Sequence, residues 1–283
     1  MSYYTALGLT KEPFSTSPDP AFFFRSSSHI QALTRLEIAI RLRRGLSLIL
    51  GDIGTGKTTL ARTLLANFPQ EDKFTFHMIL DPSFESEYQF LSHLARLFGI
   101  RAIMKSTLDC REAIEHYLFQ RGVVEEHTTV LIIDEGQKLS IDSLENLRVL
   151  LNYETNESKL IQVVIFAQME LLGRVTRVKN FIDRAALKYI INPLSEEETA
   201  EMIQFRLASA GLTHEPILFL PEAITAIHQA TQGYPRKIGL VCHNALEMLV
   251  IRGTRLVDAA LIQELLGHES RWAYESASRG NAS

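Results

Sequence analysis

Two cysteines in 283 residues, Cys110 and Cys242, stand far apart and belong to no C-x-x-C pair. That scarcity excludes a disulfide-stapled framework and leaves two buried thiols, rather than a redox or metal pair, as the plain expectation. Charge of one sign is lacking too. Twenty-nine Lys and Arg against 33 Asp and Glu give a net charge of −4, so no overall cationic field favours nucleic acid or an anionic membrane. Nowhere do about 18 apolar residues run without a charge, as a membrane-spanning helix requires. The amino terminus has no basic stretch leading into an apolar one, so a secretory signal is not expected. What is present is ordinary: 46% hydrophobic and 22% charged residues, enough for a full core and too apolar for a disordered chain. A soluble, cytoplasmic protein is expected.

Residues 1–28 read as an irregular aromatic leader, because Pro13, Pro18 and Pro20 each remove a donor and restrict their predecessor. Its phenylalanines are costly to leave in water, so the leader should pack onto the folded body. From His29 to Arg44 the positions Ile30, Leu33, Leu36 and Ile40 recur at helical spacing. Arg41, Arg43 and Arg44 cluster at its end, where cations suit the helix dipole and where a nucleic-acid patch is the alternative. Strand-like runs at Leu46–Leu50, Phe74–Leu80, Thr129–Ile133, Leu160–Phe166 and Leu187–Ile191 then alternate with helical stretches at Glu87–Phe98 and Leu108–Gly122. That alternation implies crossover connections and a mostly parallel sheet with helices on both faces. Beyond Pro193 the pattern turns all-helical. Ser195-x-x-Glu198 is a capping box, Pro221 and Pro235 suit first helical turns, and Asp258 to Gly267 frames a last short helix. The tail from His268 reads as frayed.

The strongest chemical signal is Gly51-Asp52-Ile53-Gly54-Thr55-Gly56-Lys57-Thr58-Thr59, which satisfies G-x-x-x-x-G-K-[ST] directly after a strand and opening a helix. Its glycines let backbone amides turn inward as an anion nest at a helix N-terminus. Lys57 would reach the β- and γ-phosphates of ATP, and the Thr58 hydroxyl would ligate Mg²⁺. The second signal is Val130-Leu-Ile-Ile-Asp134-Glu135, where a buried strand delivers two carboxylates to its carboxyl end. Asp134 there can hold the Mg²⁺ shell, and Glu135 can polarise a water for attack on the γ-phosphate.

Taken together, Gly51–Thr59, Asp134-Glu135 and the trailing helical unit resemble the AAA+ ATPases. Within that family the chain is similar to the branch typified by the ATPase domain of general secretion pathway protein A. The likeness runs through Tyr4-x-x-Leu7-Gly8-Leu9, Pro13-Phe14, Asp134-Glu135-x-Gln137, Leu150-Leu-Asn152-Tyr-Glu154 and Gly233-Tyr-Pro-Arg236. It implies a P-loop α/β core with a small helical lid, ATP with Mg²⁺, and self-association into a ring or filament. Gln168 would be the polar sensor orienting the attacking water. Arg184 would be the finger reaching a neighbouring subunit, with Arg174 and Arg177 close enough to be alternatives. Arg236 would be the lid arginine on the γ-phosphate, and adenine would lie between leader and lid.

The boundaries expected from this likeness are a leader and helix on the core at 1–44, a nucleotide-binding domain at 45–192, a lid at 193–267 and a tail at 268–283. Two departures stand out. Asp81-Pro82 replaces the family's Asn-Pro, and the sequence ends before the membrane helix and periplasmic domain that follow in the secretion protein. A stand-alone ATPase serving a secretion or pilus complex is therefore expected. The alternative is a DNA-linked switch, such as a transposition regulator, using Arg41, Arg43 and Arg44.

Overall fold

Strands with no polar face need cover on both sides, and the three central strands here have none. Every residue is buried in β1 (Leu46–Leu50), β3 (Thr128–Ile133) and β4 (Ile161–Ala167). With the edge strands β2 (Phe74–Ile79) and β5 (Ala185–Ile190) they form one sheet in the order β2-β3-β4-β1-β5, every pair parallel. Parallel pairing forces each connection to cross over, and helices fill the crossovers. The computed structural model describes residues 2–15, 19–68, 73–156, 158–212 and 218–267.

By their contacts, residues 27–53 and 57–192 form one unit, and residues 2–26, 54–56 and 193–267 another. In the sheet unit lie α2 (Ser27–Arg41), α3 (Lys57–Ala66), α4 (Glu87–Leu97), α5 (Thr107–Phe119), α6 (Ile141–Leu150) and α7 (Leu171–Val175). Its core joins Phe90, Leu91 and Leu94 of α4, Ile114 of α5 and Leu147 of α6 to Leu131, Val163 and Ile165 of the sheet. The hydroxyls of Ser86, Ser106 and Ser140 accept from backbone amides one turn into α4, α5 and α6, satisfying donors the helices leave over. Cys110 and Cys242 are both buried and free.

The helical unit holds α1 (Tyr3–Ala6), α8 (Glu196–Ser209), α9 (Pro221–Thr231), α10 (Pro235–Arg252) and a helix over residues 259–267, α11. Its core gathers Leu9 and Phe14 with Met202, Ile203, Ile227, Ile238, Leu246 and Leu249. Phe14 meets Phe219 edge-on at 6.1 Å, and the Thr10 amide donates to the Ala210 carbonyl at 2.8 Å. The capping box forms as its spacing implies, with Ser195 accepting from the Glu198 amide and Glu198 accepting from the Ser195 amide. At Gly233 the backbone takes φ +73°, and a Cβ there would stand 2.0 Å from the Leu194 carbonyl oxygen. Only glycine fits that corner. Pro235 follows at the first turn of α10, where its missing N–H costs nothing.

Several expectations need correction. The leader was expected on the nucleotide-binding core, yet residues 2–26 group with 193–267, because its buried aromatics lie among α8, α9 and α10. It is also not wholly irregular: α1 is one helical turn, and Pro20–Phe22 is a 3-10 turn. Helix α2 stops at Arg41, and Arg43 adopts φ +49°. Ile30 is 52% exposed, while His29 takes the buried place beside Ala32 and Leu33. Helix α5 ends at Phe119 and passes into a single π turn, Gln120–Val124, instead of running on to Gly122. Helix α6 was not anticipated. Pro18 and the tail from His268 lie outside the described residues. Among those described, no helix is long and apolar enough to cross a membrane.

Candidate functional site

In a parallel sheet, the residue after each strand emerges at the same edge. Here β3, β4 and β1 are neighbours, with Leu50 paired to Ala167 and Ile133 to Ile165. Register alone therefore sets Gly51, Asp134 and Gln168 side by side at the carboxyl edge. The Asp134 amide donates to the Ile79 carbonyl, and the Gly51 amide to the Ala167 carbonyl, at 2.8 and 3.2 Å.

Between β1 and α3 the loop turns through Gly54 and Gly56 at φ +84° and +92°. Lys57 opens α3 with its side chain folded back: Nζ donates to the carbonyls of Gly51 and Asp52, both at 2.8 Å. Burial disfavours the Lys57 ammonium and lowers its pKa, while the carboxylates of Glu135, Asp134, Asp52 and Glu170 pull the other way. Desolvation wins, so this is a buried cation with too little counter-charge. A polyphosphate would supply what is missing.

The Thr58 hydroxyl donates to Asp134 Oδ2 at 2.7 Å, and Asp134 is only 3% exposed. Its other oxygen accepts from the Glu135 amide at 2.9 Å, which fixes the carboxylate plane. A hydroxyl and a carboxylate so placed are hard oxygen donors of the kind Mg²⁺ takes. Glu135 follows in the left-handed region at φ +51°. Its Oε2 accepts from Gln137 Nε2 at 2.6 Å, and Gln137 Oε1 accepts from the Gln168 amide at 3.1 Å. Asp81, past the end of β2, pairs with Lys138 at 3.0 Å, and together with Ser83 this holds its carboxyl below the usual range.

Lys57, Thr58, Asp134, Glu135 and Gln168, singled out in the sequence, thus meet at one edge. Arg184 does not. It precedes β5, whose first residue Ala185 pairs with Leu46 at the start of β1, so it lies at the opposite edge. At ~3.3 Å per residue, the length of β1 separates it from the phosphate loop by roughly 13 Å or more. There its Nη1 donates to Asn152 Oδ1 at 2.6 Å. Arg174 donates to the Leu139 carbonyl at 2.8 Å, and Arg177 is exposed. Arg236 is exposed in the first turn of α10. Its backbone amide donates to the Gly54 carbonyl at 3.2 Å, within the helical unit to which residues 54–56 belong.

Two of the three arginines around the end of α2 are occupied. The Arg41 guanidinium lies over Phe68 at 4.9 Å from the ring centre, and Arg43 donates to the Glu126 carbonyl at 3.3 Å. Sequence reasoning missed Glu170, whose charge reaches Lys57, and the bridging part played by Gln137. The first carries no local signal. The second lies within the Asp134-Glu135-x-Gln137 pattern, but its partner Gln168 is distant in sequence.

A five-stranded parallel sheet, a phosphate loop after the interior strand β1 and paired acids after the next strand but one define the class: the fold is that of the AAA+ ATPases. Residues 40–175 match the AAA domain family. It is 34% identical over 258 residues to general secretion pathway protein A of Aeromonas hydrophila, covering 90% of this chain and 46% of that protein. The chain thus spans less than half of that relative. Among solved structures, the ORC2 protein of Aeropyrum pernix, in ADPNP and ADP complexes, superposes with a TM-score of 0.63 at 17% identity, over 90% of this chain and 70% of that one. Drosophila ORC bound to DNA gives 0.65 at 20% identity, over 94% and 65%. At those identities the likeness speaks for the fold.

Proposed function

We infer that this protein binds ATP with Mg²⁺ and hydrolyses it at the interfaces of a self-associated ring or filament, driving assembly or remodelling of a partner complex in the cytoplasm. The observation that carries the reading is the carboxyl edge: the Lys57 ammonium, the Thr58–Asp134 pair and the Glu135 carboxylate stand beyond the ends of β1 and β3, which flank β4. Lys57 would bind and neutralise the β,γ-phosphates, exchanging its two carbonyl partners for anionic oxygens. Thr58 and Asp134 would hold Mg²⁺, which when bound would further neutralise phosphate charge. Glu135 would accept a proton from the attacking water, with Gln168 orienting that water. Arg236 would add positive charge from the same chain.

The position of Arg184 supports the shared site. From the far edge of the sheet it cannot serve its own phosphates, so a task on nucleotide requires a neighbour's pocket. The 34% identity to a secretion-pathway protein favours a secretion or pilus complex as the partner. The alternative, a DNA-linked switch built on Arg41, Arg43 and Arg44, is weakened because Arg41 and Arg43 already have partners within the sheet unit.

The test is an ATP titration of wild type and Lys57→Ala, with turnover measured on both. Tight binding and hydrolysis by wild type, both lost in the variant, are expected. Equal affinity in the two proteins contradicts the assignment of the loop.

A further inference from the structure

We propose that Gln137 is a positioning residue that holds Glu135 in its water-activating orientation and couples it to the end of β4. The proposal rests on the reading of Glu135 given above. It begins with Gly136, which has no room for a side chain: a Cβ there would stand 2.3 Å from Ile165 Cγ2 and 3.2 Å from Ala167 Cβ. The turn after β3 is thereby pressed against β4, which brings Gln137 within reach of Gln168, 31 residues further along the chain.

The orientation of the Gln137 amide follows from its partners. A backbone N–H can only donate, so the atom facing the Gln168 amide at 3.1 Å must be the oxygen. The nitrogen is then turned to Glu135, and it donates to Oε2 at 2.6 Å. With Gln137 held at its other end by the Gln168 amide, that bond limits rotation of the Glu135 carboxylate.

Glu135 needs such a restraint. At φ +51° it occupies a backbone region that non-glycine residues visit at a cost, and its side chain leaves the strand end from there. The same turn is tied at its next residue by the Lys138–Asp81 pair and further on by Arg174 on the Leu139 carbonyl. Gln137 is the one of these ties that touches the Glu135 carboxylate. Because its other end rests on the Gln168 amide, any shift of Gln168 on meeting the γ-phosphate passes directly to Glu135.

Two variants separate positioning from plain structure. Gln137→Ala removes both bonds; a displaced base should cost about ten- to a hundredfold in kcat, with KM for ATP changed less than about twofold. Gln137→Glu keeps an oxygen for the Gln168 amide but loses the donor to Glu135, so kcat should fall as in Gln137→Ala although the tie to β4 is kept. A residue that only stabilised the turn would lower the melting temperature of Gln137→Ala and leave kcat of Gln137→Glu near wild type. The proposal is overturned if either variant keeps kcat within twofold of wild type. Glu135→Gln, measured alongside, tells the two readings apart. If it is inactive while Gln137→Ala is normal, only this proposal fails. If it turns over like wild type, the water-activating role of Glu135 fails, and this proposal with it.

Discussion

The sheet unit and the helical unit carry equally specific sequence signals, yet the signals do different work. In the sheet unit, Lys57, Thr58, Asp134 and Glu135 present side chains to a common edge, and the backbone beneath them is generic buried strand. In the helical unit the signature residues other than Arg236 serve the backbone. Ser195 and Glu198 close a helix start, Pro221 and Pro235 begin helices, and Gly233 turns a corner that no Cβ can enter. A motif thus marks a constraint, and only geometry tells whether the constraint is chemical or conformational.

The first way to break this comparison is to exchange its consequences. Lys57→Ala should cost at least about 10³-fold in turnover while leaving the fold intact, since the residue's burial as a cation is itself unfavourable. Gly233→Ala should do the reverse to its own unit. It adds a left-handed non-glycine residue to an overpacked contact, at about 3 kcal/mol or more, and a clear fall in melting temperature is the measurement. If Gly233→Ala melted like wild type but lost activity, the corner would be chemical after all.

Arg184 sharpens the contrast, because it lies in the sheet unit but away from the edge where the other groups meet. Arg184→Ala alone and Lys57→Ala alone should each be nearly inactive, a missing finger costing on the order of 10³-fold. Mixed at fixed total protein, some interfaces would join an intact pocket to an intact arginine, and ATPase activity should partly return. A flat response across all ratios, with mixed oligomers present, removes Arg184 from the interface and promotes Arg174 and Arg177, both exposed.

Smaller effects follow. Ser195→Ala should cost about 1 kcal/mol of stability, read as a shift in the denaturation midpoint without loss of activity, because the hydroxyl accepts from the Glu198 amide and donates to Glu197, both within the helix start. The smallest concerns His77 on β2, half-buried against Phe98 at 4.8 Å, with Nε2 lacking a partner. Burial and then the Arg121 charge lower its pKa against the pull of the Leu97 carbonyl. The unfolded chain therefore takes up the proton first as pH falls. Stability from this site is complete above the ordinary histidine pKa of about 6.5 and is lost progressively below it. His77→Phe should flatten that acid-side slope in melting curves taken between about pH 5 and 8.

What could be read from the sequence divides along the same line. The buried strands were legible because β1, β3 and β4 are short apolar runs with no rival helical period. The phosphate loop and the acid pair were legible because their spacing is local. Helix α6 carries an ordinary local signal too, with Ser140 as its cap and Leu144, Leu147 and Leu150 as its buried stripe, but it is short and follows the acid pair closely. Ile30 and His29 exchanged places because a period of 3.6 leaves the phase of a short stripe open by one residue. The bond from Gln137 to the Gln168 amide depends on strand order and on the close approach of Gly136 to Ile165. Neither is a local property of the chain.

The central claim is that the carboxyl edge of the sheet is a hydrolytic site in which Glu135 activates water. Glu135→Gln keeps the shape of the side chain and removes its basicity. The direct measurement is ATP affinity and steady-state turnover of this one variant beside wild type. Affinity within a few-fold of wild type and turnover reduced by about 10²- to 10⁴-fold are expected. Turnover at the wild-type rate with normal affinity would contradict the claim.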